Sequence, residues 1–255
     1  MIHPTAIVSK KAKIPDDVVI GPYTVIEDNV EIDSGCEIGP FCRIMGETRI
    51  GKNTRIYSHA VIGSPPQDLK YKGEKTRVEI GDNNIIREFV TINPGTAQSG
   101  VTKIGSNNLI MAYAHIAHDC EIGNGVIIAN AGTLAGHVKI EDRVIIGGLT
   151  GIHQFVRVGK LAIIGGCSKV VQDVPPFSTV DGHPVSIKGL NSIGLQRAGF
   201  SPDVINSLKK AFKILFFSNH PLHKGLELLR VELKFTPEIE YLVHFVHTSS
   251  RGICL

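Results

Sequence analysis

Aliphatic residues recur along this chain at every sixth position. Counting in sixes from Ile2 gives Val8, Ile14, Ile20, Ile26, Ile32, Ile38, Ile44, Ile50, Ile56 and Ile62 without a miss. The ladder resumes at Ile80, Ile86 and Ile92, and then runs from Ile104 to Val170. Of 29 predetermined slots, 26 hold an aliphatic residue, and only Asp68, Glu74 and Gln98 break the register. Neither the 3.6-residue period of a helix nor the two-residue period of a single strand explains a period of six, whereas a solenoid of short strands does. Glycine often follows the aliphatic residue, as at Gly21, Gly39, Gly51, Gly81, Gly105, Gly123 and Gly147, which suits a tight corner between flat faces. Such a column is aliphatic and closed inside, so its chemistry must lie outside.

Two segments interrupt the ladder: SPPQDLKYKGEKTR, from Ser64 to Arg77, and PGTAQSGVTK, from Pro94 to Lys103. Rich in proline, glycine or charge, they read as loops (64–77 and 94–103) projecting from the column. After Val170 a proline-rich stretch ends the repeat. Ser201 as N-cap with Pro202 behind it opens a helix whose Val204, Ile205, Leu208, Ala211, Phe212, Leu215 and Phe216 share one face. Thr236 and Pro237 open another. The expected organisation is a column over residues 1–190 and a small α-helical domain over 191–255.

Composition narrows the function classes. Five scattered cysteines without a CxxC spacing suggest neither a disulfide framework nor a thiolate zinc site, and point to a reducing compartment. A net charge of +3 without a dense basic block argues against nucleic acid. The N-terminus lacks the apolar run of a signal peptide and no stretch reaches the length of a membrane span, so the expectation is a cytoplasmic protein.

The histidines carry the candidate chemistry. If one coil takes three hexads, position k stacks beneath k+18. His153, His118 and His137 then fall on one edge in three coils, with Gly136 and Gln154 in line with His118, and with His115 three places earlier. Such an edge could serve solubility or packing between copies. It could supply a general base that deprotonates a hydroxyl for attack on a thioester. It could also gather three imidazoles around a metal that activates water, as in the β-helical carbonic anhydrases that the repeat resembles.

The strings QDLKYKGE, AHIAHDC, TLAGHV, GIHQF and GGCSKVVQDVPP, followed by GLNSIGLQRAGFS, closely resemble the UDP-N-acetylglucosamine O-acyltransferases of lipid A synthesis, over nearly the whole chain. The resemblance implies a mainly β fold, a left-handed parallel β-helix of hexapeptide repeats with a C-terminal helical domain. It further implies a homotrimer, no cofactor, and transfer of an (R)-3-hydroxyacyl chain from acyl carrier protein to the glucosamine 3-position of a UDP-sugar. Residue by residue, it makes His118 the general base, Asp119 the carboxylate that orients it, and Gly136 the backbone donor facing the thioester carbonyl. Gln67, Asp68 and Lys70 become cleft residues on the first loop. His115, His137, His153 and Gln154 become substrate contacts, and Gly166 the position limiting acyl length. Asn191 and Arg197 match nucleotide-binding positions. Ile193 departs from the pattern, since the best-known members carry an acidic side chain there, and some relatives accept a 3-amino sugar and form an amide.

Overall fold

The computed structural model describes all 255 residues. The six-residue period becomes strands of mostly two residues, each ending on the aliphatic ladder residue, from β1 (Ile7–Val8) to β24 (Lys169–Val170). These strands stack in parallel into three sheets that the chain visits in turn. Face I holds β2 (Val19–Ile20), β5 (Glu37–Ile38), β8 (Arg55–Ile56), β11 (Ile85–Ile86), β14 (Leu109–Ile110), β17 (Ile127–Ile128), β20 (Ile145–Ile146) and β23 (Ile163–Ile164). Face II holds β1, β3 (Val25–Ile26), β6 (Arg43–Ile44), β9 (Val61–Ile62), β12 (Thr91–Ile92), β15 (His115–Ile116), β18 (Thr133–Leu134), β21 (Gly151–Ile152) and β24. Face III holds β4 (Glu31–Ile32), β7 (Glu47–Ile50), β10 (Arg77–Ile80), β13 (Val101–Ile104), β16 (Glu121–Ile122), β19 (Lys139–Ile140) and β22 (Arg157–Val158). Uninterrupted coils advance by eighteen residues, as in Ile116 beneath Leu134 and Leu134 beneath Ile152. The ladder side chains fill the interior, with Ile44, Ile62, Ile92, Ile116 and Ile146 fully buried. A parallel sheet exposed on one side is unusual. Here closure into a column removes all but the two end edges.

The corners correct the expectation about glycine. From Tyr23 to Cys167 the left-handed conformation falls three places after the ladder residue. Side chains as large as Tyr23 (φ 58°), Phe89 (φ 60°), His137 (φ 60°) and Phe155 (φ 66°) adopt it, each at a cost of roughly 1–2 kcal/mol. The glycine directly after the ladder residue answers a different need. A Cβ on Gly39 would lie 2.9 Å from Ser58 N in the next coil, and one on Gly147 2.5 Å from Gly166 N. Close passage of successive coils selects glycine there. Regular stacking then keeps the left-handed residues three places on.

Both loops are shorter than expected. Arg77 already belongs to β10 (Arg77–Ile80), which pairs with β7 (Glu47–Ile50), and Val101 opens β13 (Val101–Ile104). The paired residues Arg77 and Glu47 are thirty positions apart instead of eighteen, and Arg77 and Val101 twenty-four. The loops therefore insert twelve and six residues into two successive coils. Both emerge between faces II and III.

The proline-rich stretch conceals a hairpin, β25 (Ser178–Gly182) and β26 (Val185–Leu190): β25 continues face I in parallel with Ile163–Ile164, and β26 is added to it antiparallel. Four helices follow: α1 (Ser192–Arg197), α2 (Pro202–Phe216), α3 (Leu222–Glu232) and α4 (Pro237–His247). The Ser201 and Thr236 caps are as expected, their side chains accepting from Val204 N and Ile239 N. α3 starts at Pro221 with no side-chain cap, which is why no start signal marked it. No helix is long and apolar enough to cross a membrane.

Outward-facing residues separate the faces. Face III carries ion pairs, including Lys139 with Glu121 at 2.9 Å and Arg77 with Glu79 at 2.6 Å. Face I pairs Arg55 with Glu37 at 3.5 Å in its early coils, and beyond them presents Ile85, Ile127, Ile145 and Ile163, half-buried or exposed, a stretch of ridge without charge.

Candidate active site

The II–III corner concentrates the chemistry. His118 follows β15 (His115–Ile116) and is buried, as is Asp119 behind it. Neighbours on a straight strand point apart, but Asp119 sits at φ 59°, and the bend brings its Oδ2 to 2.8 Å from His118 Nδ1. The pairing is a product of the corner.

Asp119 is heavily supported. Its carboxylate accepts from Thr96 N at 2.9 Å, from the Thr96 hydroxyl at 2.7 Å and from the Ser99 hydroxyl. Its own N–H donates to the Thr102 hydroxyl at 2.9 Å. Burial alone would raise its pKa. The bonds from Ser99, His118 and Thr96 outweigh burial and hold it at about 2. It stays a carboxylate, so the His118 proton belongs on Nδ1 and Nε2 keeps its lone pair. Thr96, Ser99 and Thr102 all come from the second loop and the strand after it. Nothing in the sequence marks them beyond a cluster of hydroxyl residues where the ladder breaks.

Gly136 lies one coil away, directly in line with His118. A Cβ there would stand 2.5 Å from His118 Nε2, so only glycine leaves room for the imidazole over the backbone. The Gly136 N–H has no partner in the chain. A free lone pair on His118 and an unpartnered backbone N–H on Gly136 thus belong to stacked residues of successive coils.

His137 sits one coil above Asp119. Its Nε2 is 3.4 Å from Asp119 Oδ2, its ring meets His118 edge-on at 5.1 Å between centroids, and it stacks on Phe155 at 4.6 Å. Burial pushes its pKa down, opposed by Asp119, with His118 adding to the depression and Asp68 opposing it. Asp68 stands on the first loop, and its charge is felt at this ring. His115 hydrogen-bonds the Thr91 hydroxyl at 2.7 Å, and burial followed by the neighbouring His118 lowers its pKa. Gln154 continues the line of His118 and Gly136, and His153 beside it is exposed. Gln67 and Lys70 stand exposed on the first loop without side-chain hydrogen bonds, and Asn93 fastens the base of that loop through Ser64 O at 3.0 Å.

The remaining expected residues lie elsewhere on the column. Gly166 is exposed at the I–II corner between β23 and β24. Asn191 and Arg197 border an open groove of about 680 Å³ on face I, with Arg143, Ile145 and Ile193. Asn191 is buried with its side chain already engaged: Nδ2 donates to Leu161 O at 2.8 Å, and Oδ1 accepts from Gly194 N at 2.9 Å as the cap of α1. Arg197 is exposed. One column thus displays the histidines on one edge and the Asn191–Arg197 groove on another.

His118, Asp119 and His137 are close enough for a shared metal ion. The donor set fits poorly, because the Asp119 oxygens already accept from Thr96, Ser99 and His118.

A closed column of hexapeptide repeats with a histidine–carboxylate pair on one corner defines the class of hexapeptide-repeat acyltransferases, and the model for bacterial transferase hexapeptide repeats matches residues 11–46, 29–64 and 102–136. The second domain of UDP-N-acetylglucosamine O-acyltransferase matches residues 173–254. The chain is 54% identical over 254 residues to the acyl-(acyl-carrier-protein)–UDP-N-acetylglucosamine O-acyltransferase of Thermodesulfovibrio yellowstonii, covering 99% of this chain and 98% of that one. The Herminiimonas arsenicoxydans enzyme of the same name is 48% identical over 258 residues, covering 99% and 98%. Among solved structures, the UDP-N-acetylglucosamine acyltransferase of Bacteroides fragilis superposes with a TM-score of 0.97 at 43% identity over 100% of both chains. That of Francisella novicida gives 0.96 at 42%, over 100% of this chain and 94% of that one. The chain belongs to the UDP-N-acetylglucosamine O-acyltransferase family, and it is an acyltransferase.

Proposed function

We infer that this enzyme transfers an (R)-3-hydroxyacyl chain from acyl carrier protein to the 3-hydroxyl of the glucosamine in UDP-N-acetylglucosamine, in lipid A synthesis, with His118 as the general base. The observation that carries the reading is the adjacency of His118 Nε2 and the unpartnered Gly136 N–H, backed by a carboxylate that cannot take the proton. In the forward step the acceptor oxygen forms a bond to the thioester carbonyl carbon while its proton passes to His118 Nε2. The carbonyl oxygen becomes an oxyanion facing the Gly136 N–H. The Asp119 carboxylate stabilises the imidazolium through Nδ1. Collapse breaks the carbon–sulfur bond, and the proton leaves His118 with the carrier thiol. The products are the ester and the free carrier thiol. Gln67, Asp68, Lys70, His115, His137, His153 and Gln154 line this reading's substrate cleft, with Gly166 bounding the acyl chain.

The acceptor's nucleotide half is assigned to the face I groove with Asn191 and Arg197, Arg197 offering a planar fork to the diphosphate and Asn191 holding the start of α1. Since that groove and the histidine edge lie on different edges of one column, the complete site needs a second copy. The homotrimer of the resemblance supplies it, and the uncharged Ile127–Ile145–Ile163 ridge suits such burial. Mixing His118→Ala and Arg197→Ala subunits tests this, because mixed trimers regain sites that neither variant forms alone. No recovery on mixing argues for sites within single columns.

Ile193 in the groove leaves a second acceptor in play, the 3-amino analogue of the sugar, which would yield an amide. Incubation of the enzyme with both sugars against hydroxyacyl carrier proteins of graded length decides acceptor and chain length together. The expected product is the ester. No acyl transfer to either sugar would refute the reading.

A further inference from the structure

The end of the chain returns to the histidine edge. Beyond α4, residues 249–254 run alongside the last coil. Asp173 N donates to Gly252 O at 2.9 Å and Cys254 N to Asp173 O at 3.1 Å. The buried Asp173 carboxylate accepts from the Ser249 hydroxyl at 2.8 Å and from Arg157 N at 2.8 Å. The Arg157 guanidinium donates to Thr248 O at 3.2 Å and lies 4.3 Å over the Phe245 ring. Ile253 and Cys254 are buried. These contacts fasten the segment on both sides of Arg251.

Arg251 donates from Nε and Nη2 to Val171 O at 3.3 and 3.2 Å, and the same Nη2 reaches His153 Nδ1 at 3.2 Å. A guanidinium has donors only, so His153 Nδ1 accepts there and the ring proton sits on Nε2. A rival contact is present: Nδ1 is also 3.3 Å from Gln154 O, which only accepts and so requires the proton on Nδ1. The two contacts demand opposite tautomers. The charged donor makes the stronger bond and decides between them. His153 is exposed, and its Nε2 has no partner in the chain.

We propose that Arg251 is a positioning residue of the acyl-transfer site, holding the His153 ring by Nδ1 so that it presents an Nε2–H donor to a substrate carbonyl or phosphate oxygen. This rests on the reading above that His153 belongs to the substrate cleft. No sequence pattern announces the pair, whose members are 98 residues apart.

The test reads the tautomer directly. Nitrogen-15 spectra of histidine-labelled enzyme, with His153→Gln to assign the signal, are expected to show His153 as the Nε2–H form in the wild type. In Arg251→Ala it shifts to the Nδ1–H form, bonded to Gln154 O. Expected alongside is a fall of about tenfold in kcat/KM, with the oligomer and circular dichroism unchanged. Arg251→Lys restores part of both, since an ammonium donates but cannot span Val171 O and His153 as a fork. An unchanged tautomer in Arg251→Ala overturns the proposal whatever the turnover. A shifted tautomer with unchanged kcat/KM overturns the placement of His153 in the cleft, and with it the role of Arg251. Wild-type enzyme inactive toward both sugars sinks the acyl-transfer reading instead, and the tautomer measurement stands apart from that outcome.

Discussion

Two histidines of this column occupy the same kind of corner and do different things. His59, at φ 64°, and His137, at φ 60°, are both left-handed residues three places after a ladder isoleucine or leucine. Both stack on aromatic rings. His59 lies between Phe41 at 5.1 Å and Phe89 at 4.7 Å in a ladder that runs from Tyr23 to Tyr113 along the I–II corner. His137 stacks on Phe155 at the II–III corner, but it also meets Asp119 and His118. The backbone is equivalent, so the difference comes from what covers each corner. No insertion reaches the I–II corner, and its rings stand in solvent. Both loops leave the coil at the II–III corner, and they bring Thr96, Ser99 and Asp68 to it. A repeat places a side chain outside; an interruption of the repeat gives it partners.

The sharpest way to break this comparison is His118→Ala. Loss of the proposed base is expected to cost on the order of 10³-fold in kcat while oligomeric state and thermal midpoint hold, because the ring packs outside the aliphatic interior. Turnover near wild type would place the base elsewhere, and the II–III corner would then be one more decorated edge. Gly136→Ala comes next, at roughly 10²-fold. The new methyl meets the His118 imidazole, so the ring must swing off the backbone donor, and His118–Asp119 geometry should change in a crystal of the variant.

Ser99→Ala is a milder probe of the same idea, because it removes one loop hydroxyl and leaves Thr96 in place. About tenfold lower kcat is expected, recovered by Ser99→Thr. The Asp119 carboxyl also leaves a signature in acid. Its folded pKa of about 2 lies below the ordinary 3.8, so the folded state binds the proton more weakly than the unfolded state. It contributes about 2 kcal/mol above pH 4, and this is lost as pH falls from about 4 to about 2. Burial of His115 and His137 acts in the same direction higher up: above the ordinary 6.5 both rings are neutral folded or unfolded and the shift contributes nothing, and as pH falls through 6.5 the unfolded chain takes up the protons first, so the folded state is penalised. Ser99→Ala should therefore narrow the stability gap between pH 5 and pH 3 in denaturation experiments. An unchanged gap would mean the hydroxyl does nothing for the carboxylate.

Those hydroxyls also mark where sequence reading stops. The alignment of His118, Gly136 and Gln154 followed from counting, because no insertion falls between their coils. The His118–Asp119 bond did not follow from counting, since it depends on a left-handed residue that the strand pattern hides. Thr96 and Ser99 depend on how a loop folds back, and Arg251 on how a C-terminal segment lies against the last coil. Neither has a period. Glycine is ambiguous for a related reason: spacing locates a corner but does not separate a residue that bends the chain from one that lets the next coil pass. The resemblance singles out Asn191, and only the structure shows its amide spent on Leu161 O and on α1.

The smallest expected effect is also the most discriminating, because it concerns the histidine without partners. His59→Phe keeps an aromatic ring between Phe41 and Phe89, and it deletes a titratable group that no carboxylate or histidine approaches in the ladder. If loop-borne partners make a corner histidine functional, the variant should retain kcat and KM within about twofold and gain slightly in stability, since ring stacking is worth about 0.5–1.5 kcal/mol per pair. Measured against His137→Phe, which preserves stacking on Phe155 but removes the contact with Asp119, the two substitutions change the same residue type on the same backbone. A kinetic loss confined to His137→Phe is the expected result. Equal losses would mean that the I–II corner also serves the reaction, and that the ladder of rings from Tyr23 to Tyr113 is more than a stack.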